Sequence, residues 1–392
     1  MRAITVAMLL ALAGSAVPAM PANAALTGTP SPADAAVRRR IDAVVQSVRA
    51  TYGGKTPVPG VLIGVWDGNG ASYQRGYGYA DVTTKRPMSI ADHFRIGSNT
   101  KTFVVAIILQ LVDQGKLGLD DTVSHFDLGL NVPNGDKITV RQLCDMRSGL
   151  VEAYDDPRLQ QGSLERGATF SPRQTIAWAL RQKPYFAPGA GYHYSNTNYL
   201  LLGIIIEKLT HDTVGDQIRT RLLEPYGLAN TSYPDTEGMP EPWAHGYGLT
   251  KSRTWKDISG TIPVELMGAA GRMISNMADM RRWIQMYATG KISKAATYKA
   301  LKSCVYTGDG NLYFGLALVC SAGWYGYTGG LPGYNTAEYY FPAKGVTIVA
   351  WVGAQADTPP PGVASALVRG IAKIMTPDNI PFVMGGSGRS GL

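Results

Sequence analysis

Ser98 and Lys101 stand three residues apart in Ser98-Asn99-Thr100-Lys101, a spacing that puts a hydroxyl and an amine on one face of a helix. A serine hydroxyl is a poor nucleophile until a neighbour removes its proton. An amine one turn away can do so, provided burial among apolar side chains lowers its pKa. Ser98 follows Gly97 and opens the most hydrophobic helical pattern outside the N-terminal run. Its N–H is then one of the unpaired donors at a helix N-terminus, available to a developing oxyanion. A helix cap followed by a solvated lysine has the same spacing. A lysine on a helix that is apolar nearly all round, however, cannot easily reach water and needs a partner.

Two further segments carry compatible chemistry. Tyr194-Ser195-Asn196 ends the Pro- and Gly-containing stretch Ala187 to Asn196. A tyrosine fixed near a lysine can relay the proton moving between serine and leaving group. Asn196 can bridge the lysine and a substrate amide through its acceptor and donor ends. Tyr327-Thr328-Gly329-Gly330 closes a strand pattern just before Leu331-Pro332-Gly333. An edge strand beside the nucleophile can pair with an extended substrate backbone, and glycine permits close approach. Taken singly, the first segment is also a turn with a capping Ser or Asn, and the second a plain strand end.

In this order, the three segments resemble the active-site motifs of the serine β-lactamase and D-Ala-D-Ala carboxypeptidase family. The branch they are similar to contains class C β-lactamases, Streptomyces-type DD-peptidases and related esterases. The surrounding text agrees over roughly residues 35 to 375: FRIGSNTKTF followed by LVDQGKLGLDD, then ITVRQLCDMRSGL, APGAGYHYSNTNYLLLGIIIEKLT, GAAGRMISNMADM and YTGGLPGYN. The resemblance implies a hydrolase that acylates Ser98, with Lys101 as base and Tyr194 as proton shuttle. It implies an oxyanion hole from the N–H groups of Ser98 and Gly330, and substrate contacts from Asn196, Tyr327, Thr328 and Gly329. Its expected substrate is a D-alanyl peptide or related amide. An ester hydrolase or acyl transferase, a class C-like β-lactamase and a non-catalytic binding protein are the alternatives. One departure matters: the family carries a lysine or histidine where Tyr327 stands, and a tyrosine brings no positive charge at neutral pH. A charge-assisted contact is roughly twice as strong as a neutral one. Recognition of a free substrate carboxylate is weakened accordingly, which favours the alternative of an esterase or acyl transferase on neutral esters.

The elements that must position these residues follow from periodicity. Ser31-Pro32-Ala33-Asp34 has the composition of a helix start, with Ser31 as cap. Val37, Ile41, Val44, Val45 and Val48 then recur at helical spacing. Val61 to Trp66 and Ala71 to Ala80, separated by Asp67-Gly68-Asn69-Gly70, read as a β-hairpin. Thr100 to Gln114 is a buried central helix. Strand patterns return at Tyr313 to Val319, Tyr325 to Thr328, Thr336 to Phe341 and Val346 to Val352, before a last helix over Val363 to Met375. The ends of the chain therefore supply strands and the middle supplies helices. The expected fold class is α/β plus all-α: an α/β lobe from residues 31–115 and 257–376, a helical lobe from 116–256, and a flexible tail from 377–392. The family resemblance makes the sheet antiparallel and flanks it with the N- and C-terminal helices. The site belongs in the cleft between the lobes, where ligands tend to bind.

The first 24 residues read as a secretory signal: Arg2, an apolar run from Ala3 to Val17, and a small-x-small ending Ala22-Asn23-Ala24. The run is too short to span a bilayer comfortably, so cleavage near Ala24 and a secreted or periplasmic location are expected, without a stable membrane anchor. Cleavage would reduce the formal charge from +8 to +7, compatible with an anionic cell envelope. A small-molecule or peptide substrate is the expected partner, with cell-wall peptide one candidate; nucleic acid is not expected. Of three cysteines, Cys144 falls in an apolar helical pattern. Cys304 and Cys320 are spaced to pair across a hairpin-sized loop or to remain thiols. There is no CxxC and no HExxH, and the five histidines are scattered, so neither metal nor other cofactor is expected. The absence of GxSxG disfavours an α/β-hydrolase nucleophile elbow.

Overall fold

A computed structural model describes residues 30–160, 171–261, 264–355 and 362–381. Its backbone is a nine-stranded antiparallel sheet. In chain order the strands are β1 (Gly60–Trp66), β2 (Ser72–Asp81), β3 (Arg86–Pro87), β4 (Val305–Tyr306), β5 (Tyr313–Phe314), β6 (Val319–Ser321), β7 (Trp324–Leu331), β8 (Tyr334–Phe341) and β9 (Val346–Val352). Across the sheet they run β3-β2-β1-β9-β8-β7-β6-β5-β4. The two halves of the chain meet at β1 and β9, from Val61 opposite Val352 to Trp66 opposite Thr347. Both strands are buried along their whole length, because helices cover both faces there.

The helices that matter for the site are α1 (Ala35–Thr51), α2 (Thr100–Asp113), α3 (Thr197–Thr210), α4 (Val264–Gly271), α5 (Met277–Thr289) and α6 (Val363–Met375). Alternation along a strand sends neighbouring side chains to opposite faces. On the Val61 face, Asp42 of α1 accepts from Tyr73 at 2.6 Å and Tyr77 at 2.5 Å, and α6 packs beside α1. On the Gly64 face, α5 approaches: Gln285 Nε2 donates to Thr347 at 2.8 Å. Helix α2 lies against α5, with Phe103 stacked on Trp283 at 3.8 Å between ring centroids. The fold is thus α/β with helical elements inserted between the two sheet-forming segments, as expected.

Several local readings change. The cap of α1 is Asp34, whose side chain accepts from Ala36 N–H, while Ser31 donates to Asp67 at 2.7 Å. The single strand expected over Tyr313 to Val319 is two short ones, interrupted where Ala317 takes φ +47°. Strand β7 runs on to Leu331, because Gly329 and Gly330 pair with Thr336 and Asn335 rather than starting a turn. The stretch read as a helical lobe, 116–256, also contains a strand at Tyr247–Leu249, and another, Trp255–Asp257, straddles its end. The former pairs with Ala354–Gln355 just beyond β9. Cys304 and Cys320 form a disulfide, and Cys144 is a buried thiol. Among the described residues, no helix is long and apolar enough to cross a membrane. The expected signal segment and residues 382–392 of the expected tail lie outside the described residues.

Candidate active site

Ser98 sits in a single 3₁₀ turn, Gly97–Asn99, that runs directly into α2. It is half-buried, whereas Lys101, in the first turn of α2, is 0% exposed. The helix is the reason: apart from Gln110, every residue from Thr100 to Leu111 is buried, so the lysine stem has no route to water. Its amine meets protein instead. Lys101 Nζ lies 2.9 Å from Ser98 Oγ, 2.7 Å from Asn196 Oδ1 and 2.6 Å from the Ala270 carbonyl. Tyr194 donates its hydroxyl to the same Ser98 oxygen at 2.7 Å.

As an ammonium, Lys101 can donate its three N–H bonds to Ser98 Oγ, Asn196 Oδ1 and the Ala270 carbonyl; loss of one proton frees a lone pair and changes the arrangement. A neutral amine has two N–H bonds and one lone pair. Asn196 Oδ1 and the Ala270 carbonyl are pure acceptors and take the two N–H bonds. The lone pair is left for the Ser98 hydroxyl, while Ser98 Oγ accepts from Tyr194. Burial pushes the Lys101 pKa down to about 7, partly opposed by the nearby Glu152 charge. Burial also raises the Tyr194 phenol, opposed by its bond to Ser98, so this phenol remains a donor. The aromatic rings of Tyr194 and Tyr199 lie 5.1 Å and 5.3 Å from the amine, offering cation–π stabilisation whenever Lys101 takes up a proton.

Distant segments reach the amine by identifiable local devices. Asn196 immediately precedes α3, whose first ten residues are buried. Ala270 lies two residues after a break in α4, where Gly268 takes φ +41°, a conformation open chiefly to glycine. Strand β7 is held against the nucleophile turn by two more glycines. A Cβ on Gly329 would lie 2.0 Å from the Ile96 carbonyl, and one on Gly97 (φ +52°) would lie 2.9 Å from Gly330 N. The N–H groups of Ser98 and Gly330 therefore belong to segments in close approach, as an oxyanion hole requires. Strand β6 pairs with β7 only as far as Gly326, so no β6 residue pairs with 327–331.

Tyr327, expected among the substrate contacts, is 0% exposed in this structure. Its ring packs edge-on to Phe314 at 5.8 Å. Its hydroxyl makes no hydrogen bond of normal geometry, yet lies near enough to Tyr194 for each phenol to perturb the other's ionisation. Thr328, Gly329 and Asn196 are also buried, and only Gly330 of the expected substrate-contacting strand is exposed. The phenols of Tyr192, Tyr194 and Tyr199 interact with Tyr327, and Glu338 lies opposite it on β8.

Sequence reasoning missed Glu152. It is buried, and its carboxylate accepts from Asn196 N–H at 2.8 Å, Asn196 Nδ2 at 3.0 Å and Tyr154 N–H at 2.9 Å. No pattern marks such a residue, because its partners are backbone groups and a side chain 44 positions away. The Ala270 carbonyl was equally invisible. No group of three or more His, Cys, Asp or Glu that could hold a metal occurs among the described residues. A cavity of about 510 Å³ lined by Thr213, Asp216, Arg219, Tyr233 and neighbours includes none of the residues around Ser98; the hydrogen-bonded cluster at Ser98, not cavity size, locates the chemistry.

Comparison with known proteins gives the family. A family model described as Beta-lactamase matches residues 34–373. Protein flp of Staphylococcus aureus (strain N315) is 28% identical over 260 residues, covering 63% of this chain and 48% of that protein. The chain thus spans about half the length of that curated relative. Penicillin-binding protein 4* of Bacillus subtilis (strain 168) is 26% identical over 330 residues, 80% of this chain and 72% of that one. Among solved structures, a D-stereospecific amidohydrolase from Streptomyces sp. is 28% identical with a TM-score of 0.74, covering 86% of this chain and 98% of that chain. The D-amino acid amidase from Ochrobactrum anthropi SV3, at 22% identity and TM-score 0.77 over 88% and 99% of the two chains, shares the fold.

Proposed function

The chain belongs to the Beta-lactamase family of serine hydrolases, and from that premise we propose that it forms an acyl-enzyme at Ser98 and hydrolyses a D-alanyl peptide or a related D-amino-acid amide. The observation that carries the reading is the triangle at Ser98 Oγ, with Lys101 Nζ at 2.9 Å and Tyr194 OH at 2.7 Å. Lys101 and Tyr194 are far apart in sequence, and proton transfer at that oxygen uses both.

In this reading Ser98 Oγ attacks the substrate carbonyl carbon while its proton passes to the neutral Lys101 amine. The carbonyl oxygen becomes an oxyanion facing the N–H groups of Ser98 and Gly330. As the scissile C–N bond breaks, Tyr194 gives its proton to the departing nitrogen and recovers one from Lys101. Water then attacks the ester, losing its proton along the same path, and Ser98 leaves with that proton restored.

The substrate class follows from the wall at position 327. With Tyr327 neutral and buried, a free carboxylate beside the scissile bond has no cation there to meet, so amides are favoured over substrates that depend on that carboxylate. The D-stereospecific amidohydrolase among the structural relatives supports the same choice. The same neutrality favours a second reading, hydrolysis of neutral esters. Export rests on the N-terminal Arg2, apolar run and Ala22-Asn23-Ala24, and the Cys304–Cys320 disulfide supports an oxidising location.

The test uses purified protein and its Ser98→Ala variant with D-alanine and L-alanine nitroanilides, a short-chain nitrophenyl ester and a fluorescent penicillin. D-selective amide turnover, lowered at least about 10⁴-fold in Ser98→Ala, is the expected result. Ester turnover alone replaces it with the second reading. Inertness to all four sinks the hydrolase.

A further inference from the structure

We infer that Glu152 is a positioning residue of this site: through the Asn196 amide it fixes which end of that amide meets Lys101, and it supplies the buried negative charge against which the lysine exchanges its proton. The inference rests on the acyl-enzyme reading of Ser98 and adds to it the device that governs its base.

The first half is a matter of donors and acceptors. One Glu152 oxygen, Oε2, accepts both Asn196 N–H at 2.8 Å and Asn196 Nδ2 at 3.0 Å, and the other, Oε1, accepts Tyr154 N–H at 2.9 Å. Three N–H donors converge on two oxygens. An ionised carboxylate accepts all three, whereas a carboxamide would set a donor against a donor. With Nδ2 committed to Glu152, the Asn196 oxygen is the end left for Lys101, and it is found there at 2.7 Å. That oxygen and the Ala270 carbonyl take both N–H bonds of the neutral amine, so the lone pair is turned towards Ser98.

The second half is electrostatic. Glu152 is fully buried, and desolvation raises its pKa, opposed by the Tyr154 and Asn196 backbone bonds and by Lys101. The groups facing it are Lys101 from α2, Asn196 at the start of α3, Tyr154 and Asp155 from the adjoining turn, and the tyrosines Tyr185 and Tyr194. Lys101 is the only cation among these groups. The carboxylate therefore favours the ammonium form of Lys101 and draws its pKa back up from where burial alone would leave it. It keeps the amine able to take the serine proton, at the expense of activity at low pH.

The experiment is the pH profile of kcat/KM on the substrate turned over by the wild type, for Glu152→Gln and Glu152→Asp, with circular dichroism to verify folding. Removing the charge in the Gln variant should move the acid limb to lower pH by about one unit, with a lower plateau. The Asp variant keeps the charge and should leave the limb in place while the plateau falls. A limb that stays put in the Gln variant, with only the plateau lowered, overturns the inference and leaves a packing role. Should the Gln variant not fold, Glu152→Met takes its place: it also removes the charge, so its limb must also move down, and an unmoved limb is equally fatal. A wild-type protein inert to every substrate and label defeats the acyl-enzyme reading, and this inference with it. Turnover by the wild type with unmoved limbs in the variants defeats only the inference.

Discussion

Lys101 and Ser98 are joined by a 2.9 Å contact between Nζ and Oγ, with the amine wholly enclosed and the hydroxyl half-open to solvent. A base shut away from water changes protonation state only through its neighbours, so its titration should be visible in catalysis. Protonated Lys101 has no lone pair for Ser98. With its pKa lowered to about 7 by burial, kcat/KM should rise as pH increases through that value and then level off. Tyr194 is shifted upwards, so no alkaline limb from this phenol is expected below about pH 10. Lys101→Arg cannot deprotonate and should lose at least about 10³-fold across the range. Initial rates in overlapping buffers check both expectations.

Tyr194→Phe deletes one hydroxyl and keeps the ring that flanks the lysine. It should lower kcat by about 10²–10⁴-fold, the usual value of a positioned proton donor. The loss should be larger for an amide than for an activated ester, because a nitrophenolate leaves without a proton. Equal losses on both substrates would reject the shuttle role.

Gly329→Ala puts a methyl group 2.0 Å from the Ile96 carbonyl, a backbone atom with little freedom to move. Strand β7 must shift away from the turn bearing Ser98, or the protein must lose about 2–4 kcal/mol of stability. Urea unfolding and activity should fall together. Gly330→Ala meets no atom within 4 Å and serves as the control, unfolding at nearly the wild-type midpoint.

Glu338 lies beside Tyr327 across the β7–β8 pair, accepts from Trp351 Nε1 at 2.5 Å and is also held by the Asn99 side chain, its second oxygen making no hydrogen bond of normal geometry. Burial raises its pKa from 4.5 to about 8. A carboxyl that ionises less readily when folded costs stability as pH rises. The contribution is fully favourable below the unfolded value and declines by about 1.4 kcal/mol per pH unit until the folded value is passed. Glu338→Gln removes that slope and should be more stable than the wild type near pH 8, with little difference at pH 4. Thermal melts of both proteins at the two pH values decide it.

How much of this was legible in the sequence differs from residue to residue, for reasons of range. The Ser98–Lys101 pair was readable because both lie within one turn of one helix, and the surrounding run of apolar residues already implied that the amine would be buried. The hairpin β1–β2 and helix α6 were readable for the same reason: local periodicity is enough. Tyr194 and Asn196 were readable as groups of suitable chemistry, but only the family resemblance tied them to Ser98.

What the sequence by itself determined is therefore the set of reactive groups, the buried helix that carries two of them, and the order of strands and helices. Only the tertiary structure decided that Tyr327 is enclosed, that Glu152 and the Ala270 carbonyl complete the surroundings of Lys101, and that β7 continues along the turn at Ser98. The physical reason is that burial and hydrogen-bond partnership are properties of surfaces brought together. The carboxylate of Glu152, the amide of Asn196 and the amine of Lys101 come from three separate segments, and no periodicity within any one of them records the other two.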